Sequence, residues 1–181
     1  MNVAFAVSCL SFEPGSETWA FKSLHGVSVA ELTATQMSTL QEKNISYFTE
    51  YGGKAITQGG KTVNGEWIDT VRFMWWLKAF MQNCIYNLFV TNPKIPYTDG
   101  GIALVENQMI YALKRGQRMG GINPTEYDDS GNAVPGYTVT VPLARELTQA
   151  ERASRQLKGC EFTARLAGAI HFVEVRGTLE Y

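Results

Sequence analysis

A chain of 181 residues, 45% apolar and 18% charged, is long enough for one compact domain with its own core, or one domain plus an arm, and is too apolar to stay disordered. Its formal charge of −1 supplies no global field to attract DNA, RNA or an anionic membrane, which argues against nucleic-acid and membrane partners. The three cysteines, Cys9, Cys84 and Cys160, are odd in number and lie far apart without a CxxC pair, which argues against both a disulfide framework and a zinc site and fits a reducing compartment.

The apolar start Val3–Leu10 has no Lys or Arg before it, so it does not read as a secretory signal. Glu13-Pro-Gly-Ser16 is a turn, and the alternation of Thr18–Leu24 predicts a strand. Thr33 or Thr35 caps a short helix through about Lys43. Ile45–Tyr51 and Lys54–Gln58 flank Gly52-Gly53 and predict a hairpin, and Asn64-Gly65 marks a second tight turn before Trp67.

Two long helices follow. The first, about Thr70–Val90, is apolar nearly all round and is expected at the centre of the domain. Arg72, Lys78, Gln82, Asn83 and Asn87 interrupt it, so a buried helix fits better than a membrane span. Trp75 and Trp76 must point in different directions, with at least one in the core. Pro93 and Pro96 end this helix. The second starts at Thr98-Asp99 and runs to about Met119, where Gly120-Gly121 stops it, with Ile102, Val105, Met109, Ala112 and Leu113 recurring at helical spacing. Lys114, Arg115 and Arg118 cluster in its last turns, where positive charge suits the helix dipole.

The stretch Asn123–Gly136 reads as a loop with Asp128–Asn132 at its tip, followed by a strand at Tyr137–Val141. Thr148-x-x-Glu151 is a capping box opening a helical turn. Two strands, about Leu157–Leu166 and Ala169–Tyr181, close the chain as a hairpin turning at Ala167-Gly168. That register places His171 on the apolar face of Cys160 and Phe162, and sets Glu161 opposite Glu174, an unfavourable pair. Elements are not in strict βαβ alternation. The expected class is therefore α+β: a mixed β-sheet packed with two long helices, plus a long C-terminal strand acting as an arm.

Catalytic signals are weak. Ala55-Ile-Thr-Gln-Gly-Gly60-Lys61-Thr62 matches a relaxed phosphate-loop pattern, but Val63-Asn64-Gly65 makes a turn where that loop needs a helix to begin. His25 and His171, the two histidines, have no Cys, Asp or Glu at ligand or triad spacing. No cofactor, metal or catalytic residue is assigned, and the chain is expected not to be an enzyme.

The last strand is unusual. Val173, Val175, Leu179 and Tyr181 alternate with Glu174, Arg176, Thr178 and Glu180. At ~3.3 Å per residue, Ala169–Tyr181 extends roughly 40 Å, against a radius of gyration of about 16 Å for a globule of this size. The strand carries no device that blunts its edge, and such edges recruit further strands. Both an internal strand and a strand linking two chains remain open on the residues alone.

Several segments together resemble contractile phage tail sheath proteins, in the C-terminal portion of the subunit. These are Trp19–Lys22, Leu32–Gln36, Gly65–Asp69, Asn87–Asn92, Ile95–Asp99 and Phe162–Ile170, in order over nearly the whole chain. The resemblance implies a structural protein whose copies form hexameric rings stacked around a tail tube, with terminal arms adding strands to neighbouring cores. It implies a sheath-like core domain over residues 1–168 and a linking arm over 169–181. Ile170, Phe172, Val173, Val175, Leu179 and Tyr181 are then the inter-subunit strand, and Lys114, Arg115 and Arg118 are candidates for tube contact. The partners implied are further copies of the chain and the tail tube protein, in a virion tail assembled in the host bacterial cytoplasm. Alternatives are a small baseplate or adaptor module, and a phosphate-loop nucleotide-binding protein. Sheath subunits are usually longer, and this chain starts inside their pattern, which implies a truncated or short form without the N-terminal arm.

Overall fold

The computed structural model, which describes residues 1–178, contains five α-helices and six short strands among those residues. The order is α1 (Asn2–Leu10), α2 (Ala34–Glu42), β1 (Tyr47–Tyr51), β2 (Lys54–Gln58), α3 (Ile68–Thr91), α4 (Asp99–Arg118), β3 (Glu126–Tyr127), β4 (Ala133–Val134), β5 (Tyr137–Thr140), α5 (Gln149–Ser154) and β6 (Glu161–Ala164). The class is α+β. The strands form three separate antiparallel pairs, β1–β2, β3–β4 and β5–β6, rather than one sheet.

The chain packs as two units, one of residues 1–11, 18–67 and 168 onward, the other of Phe12–Glu17 and Ile68–Ala167. In the first, α1 is amphipathic enough to bury Phe5 and Cys9 against Leu24 and Phe48. Phe5 meets Trp19 edge-on, with ring centroids 5.2 Å apart. Thr33 caps α2 reciprocally with Gln36, satisfying two backbone amides at the helix start. Gly52 and Gly53 both have positive φ, which the tight turn between β1 and β2 requires.

The strand expected at Thr18–Leu24 does not form. The Phe21 amide donates to the Thr57 carbonyl (2.8 Å) and the Thr57 amide to the Lys22 carbonyl (2.9 Å), so this segment runs beside β2. Phe21 itself lies in the left-handed region (φ 59°), which breaks the ladder after those two bonds. The buried Thr57 hydroxyl replaces the missing pairing by accepting from the Lys22 amide and donating to the Trp19 carbonyl.

In the second unit α3 and α4 begin and end within two residues of the sequence boundaries. Thr98 caps α4 through the Gly101 amide (3.2 Å), and Pro93 and Pro96 lie in the connection. Phe73, Leu77 and Met81 of α3 interlock with Met109, Ala112 and Leu113 of α4 and with Ile122. Tyr137, Val139 and Ala164 of the β5–β6 pair pack on this cluster. An ion pair stitches the first residues of the unit to α3: Arg72 binds the fully buried Glu17 carboxylate and the Phe12 carbonyl.

Two expectations change here. Helix α3 is not central in the sense its composition implies. One face is buried, while Trp75, Tyr86, Phe89 and Val90 are 56–67% exposed. Trp76 is the inward tryptophan, stacked between Phe73 and Phe80 at 5.8 and 5.0 Å. The closing hairpin is also different, because β6 pairs with β5 and, among the described residues, not with 169–178. The observed register sets Val139 against Phe162 and Thr138 against Thr163, whose hydroxyls hydrogen-bond at 2.5 Å. The expected register would have opposed Glu161 and Glu174, so cross-strand pairing favours β5.

Candidate assembly surfaces

After the bridge Ile122–Leu166 the chain turns at Gly168 (φ 65°), and residues 169–178 have no ladder partner among the described residues. Ile170, Phe172, Val173 and Val175 are 77–88% exposed. A strand covered on one face would show alternating burial. Here apolar side chains of both parities face solvent, so neither face is continuously covered by the described residues. Leu179 and Tyr181 lie outside the described residues.

One residue interrupts this exposure. His171 is half-buried, its Nε2 2.7 Å from the Thr18 hydroxyl. The Phe21 and Trp67 rings meet the imidazole edge-on, with centroids 5.4 and 4.5 Å away. The expected apolar face of Cys160 and Phe162 is therefore not its environment; the histidine anchors the root of the terminal segment instead. The left-handed Phe21 is part of that clamp, a case of local strain held where a contact needs it. Removing the anchor with His171→Ala forfeits a hydrogen bond of about 1 kcal/mol. We expect chymotryptic cleavage after Phe172 to accelerate roughly fivefold with an unchanged melting midpoint. An unchanged cleavage rate would show that the clamp holds nothing.

The second unit offers a receptive surface of its own. Between α3 and β6 lies a groove of about 510 Å³, lined by Phe73, Leu77, Met81, Ile85, Phe162 and Leu166 among others. Phe162 and Leu166 remain 42% and 44% exposed. Among the described residues β6 has β5 as its sole partner, which leaves its other edge open.

The basic cluster of α4 does not act as one free patch. Arg115 is paired with Glu13 at 2.9 Å, while Lys114 and Arg118 are exposed. The phosphate-loop resemblance dissolves locally. Gly59 and Gly60 have φ near +100°, the Gly60 amide donates to the Ser46 hydroxyl, and Lys61 forms a bridge with Trp67 while its ammonium lies 4.9 Å over that ring. Thr62 and Glu66 then close a turn where a helix would have to start. Among the described residues no three His, Cys, Asp or Glu side chains are grouped to hold a metal ion. Burial pushes the Cys84 and Cys160 thiols up, with Glu106 adding to the effect at Cys160, so both stay protonated and poorly nucleophilic. No described helix is long and apolar enough to cross a membrane.

Sequence reasoning missed the exposed apolar face of α3 and the His171 clamp. The pairing of apolar Met74 and Trp75 with Tyr86 and Phe89 on the far side of the helix was a legible signal for the first. The second had no local signal, since Thr18 and His171 are 153 residues apart.

Residues 68–179 match the family described as "E217 tail sheath protein gp31-like, C-terminal domain". Because that match spans more than half of the chain, the protein belongs to this tail sheath family, in its C-terminal domain. Among solved structures it is similar to a chain of the anti-feeding prophage baseplate, with 15% identity and a TM-score of 0.71 over 98% of this chain and 48% of that one. It is also similar to a chain of the anti-feeding prophage helical sheath in its contracted state, with 15% identity and a TM-score of 0.65 over 89% of this chain and 44% of that one. The chain thus spans about half the length of the solved structures it matches. No curated protein matches it by sequence.

Proposed function

We propose that the chain is a non-enzymatic structural subunit of a contractile phage tail sheath, and that residues 169–181 form an arm that adds a strand to a neighbouring copy. The observation that carries this reading is a terminal segment, residues 169–178, with four large apolar side chains exposed and no ladder partner among the described residues, in a chain of the sheath family. The open edge of β6, beside the apolar groove under α3, is the receptor that the arm's main chain and alternate side chains fit. Ile170, Phe172, Val173 and Val175, continued by Leu179 and Tyr181, make the linking strand. Hexameric rings around a tail tube, in a virion tail assembled in the host bacterial cytoplasm, are the assembly this family membership supports. Lys114 and Arg118 would meet the tube, with Arg115 freed for that purpose only if it leaves Glu13.

Deleting Ile170–Tyr181 tests this directly. The full chain should associate by light scattering, and the truncated chain should stay folded by circular dichroism but lose that association. Equal scattering from both would refute strand addition. The likeness to a baseplate chain over 98% of the residues supports a second reading, a baseplate ring component. Electron microscopy separates the two, with tubes for a sheath and discrete rings for a baseplate.

A further inference from the structure

The loop between α3 and α4, together with α5, lines a cleft of about 730 Å³, within the roughly 300–1,000 Å³ of ligand-holding clefts. Its apolar lining includes Ile95, Val105 and Leu157. Its charged lining is wholly cationic: Lys94, Arg152 and Arg155, with no carboxylate among the lining residues. Arg152 donates to the carbonyls of Tyr97 (3.2 Å) and Ala144, neutral partners that leave its charge uncompensated. Neither Lys94 nor Arg155 has a carboxylate in ion-pair range among the described residues. The neighbouring Glu151 is folded back onto the amide and hydroxyl of Thr148, at 2.9 and 2.8 Å. The cleft therefore asks for an anionic partner with an apolar or aromatic anchor.

The same unit displays one. The β3–β4 hairpin projects Tyr127, 75% exposed, beside Asp128 and Asp129. Its tip is rigid: the Asp128 carboxylate accepts from the amides of Ser130 (2.9 Å) and Asn132 (2.8 Å) and from the Asn132 side chain (3.1 Å). Those bonds hold its pKa below the ordinary carboxylate value, so the tip is anionic. Glu126 is already neutralised by Arg165 at 2.6 Å and adds nothing. Tyr127 does not line the cleft of its own chain, which leaves the tip available to another chain.

We propose that the Tyr127–Asp129 tip of one copy docks in the α3–α4 loop cleft of a second copy. A preorganised aromatic anchor loses little entropy on burial, and the two aspartates face three unpaired cations. The contact joins two different patches, so it is head-to-tail and propagates into a ring or helix. This inference rests on the self-association proposed above but uses surfaces separate from the terminal arm.

The test is a charge swap read by sedimentation, combined with a photocrosslinker. Asp129→Arg and Arg155→Glu should each weaken self-association about tenfold, and the double variant should regain most of it. A benzoylphenylalanine replacing Tyr127 should crosslink between chains to residues 93–97 or 152–157. Association that persists without that adduct, or a double variant as weak as the two losses combined, overturns the inference and leaves strand addition standing. Absence of self-association in the unsubstituted chain overturns both.

Discussion

A chain carrying Val173→Pro and Arg176→Pro together is expected to fold normally and to associate roughly 5- to 150-fold more weakly than the unsubstituted chain. The two positions have opposite parity along the strand, so whichever way the arm docks, one lost N–H faces the acceptor edge. Proline cannot donate to a ladder, and the carbonyl left without a partner costs about 1–3 kcal/mol. Folding should not suffer, because Val173 is 77% exposed and Arg176 makes only an exposed pair with Glu174, of the kind worth about 0–1 kcal/mol. The control, Val173→Thr with Arg176→Thr, keeps both amides and a β-branched shape, and should associate as the parent does. If the proline pair associates as strongly as the control, main-chain pairing by this segment is not the link.

The second large effect lies in the core of the second unit. Phe73 is 2% exposed, and Gly15, Gly116 and Gly121 all abut its ring. A Cβ at Gly121 would stand 2.3–2.5 Å from three Phe73 ring atoms, although the Gly121 backbone lies in a region open to any residue. Phe73→Ala should therefore cost about 3–5 kcal/mol through lost burial and a cavity. Gly121→Ala alone should cost about 1–3 kcal/mol through overpacking. Combined, the new methyl enters the space the ring vacates, so the double variant should be about 1–2 kcal/mol more stable than the sum predicts. Urea denaturation of the four chains measures this coupling, and strict additivity would mean that the ring is not what excludes a side chain at position 121.

Much of this protein was legible in its local chemistry. The caps at Thr98 and Thr148 and the glycine turn at residues 52–53 act over four residues or fewer, and each stands where its pattern placed it; of the two candidates Thr33 and Thr35, Thr33 caps α2. Helices α3 and α4 followed from apolar spacing and the prolines between them for the same reason. The family was visible in six short segments spread along the chain, and the match over residues 68–179 bears that reading out.

What lay beyond local chemistry was pairing at long range. Residues 157–166 and 137–141 both read as strands, but their union was decided by opposed Thr–Thr and Val–Phe pairs that no window along the chain contains. Residues 18–24 alternate like a strand, yet the left-handed Phe21 serves a clamp on His171 from the far end of the chain. Helix α3 reads as buried all round because composition records apolarity and not neighbours. Packing against α4 and the β5–β6 pair covers one face and leaves Trp75, Tyr86 and Phe89 to solvent. Hydrophobic pattern and capping act between residues close in the chain, so they specify elements. The partner of each element depends on competition among surfaces distant in sequence, which is settled only when the chain is packed.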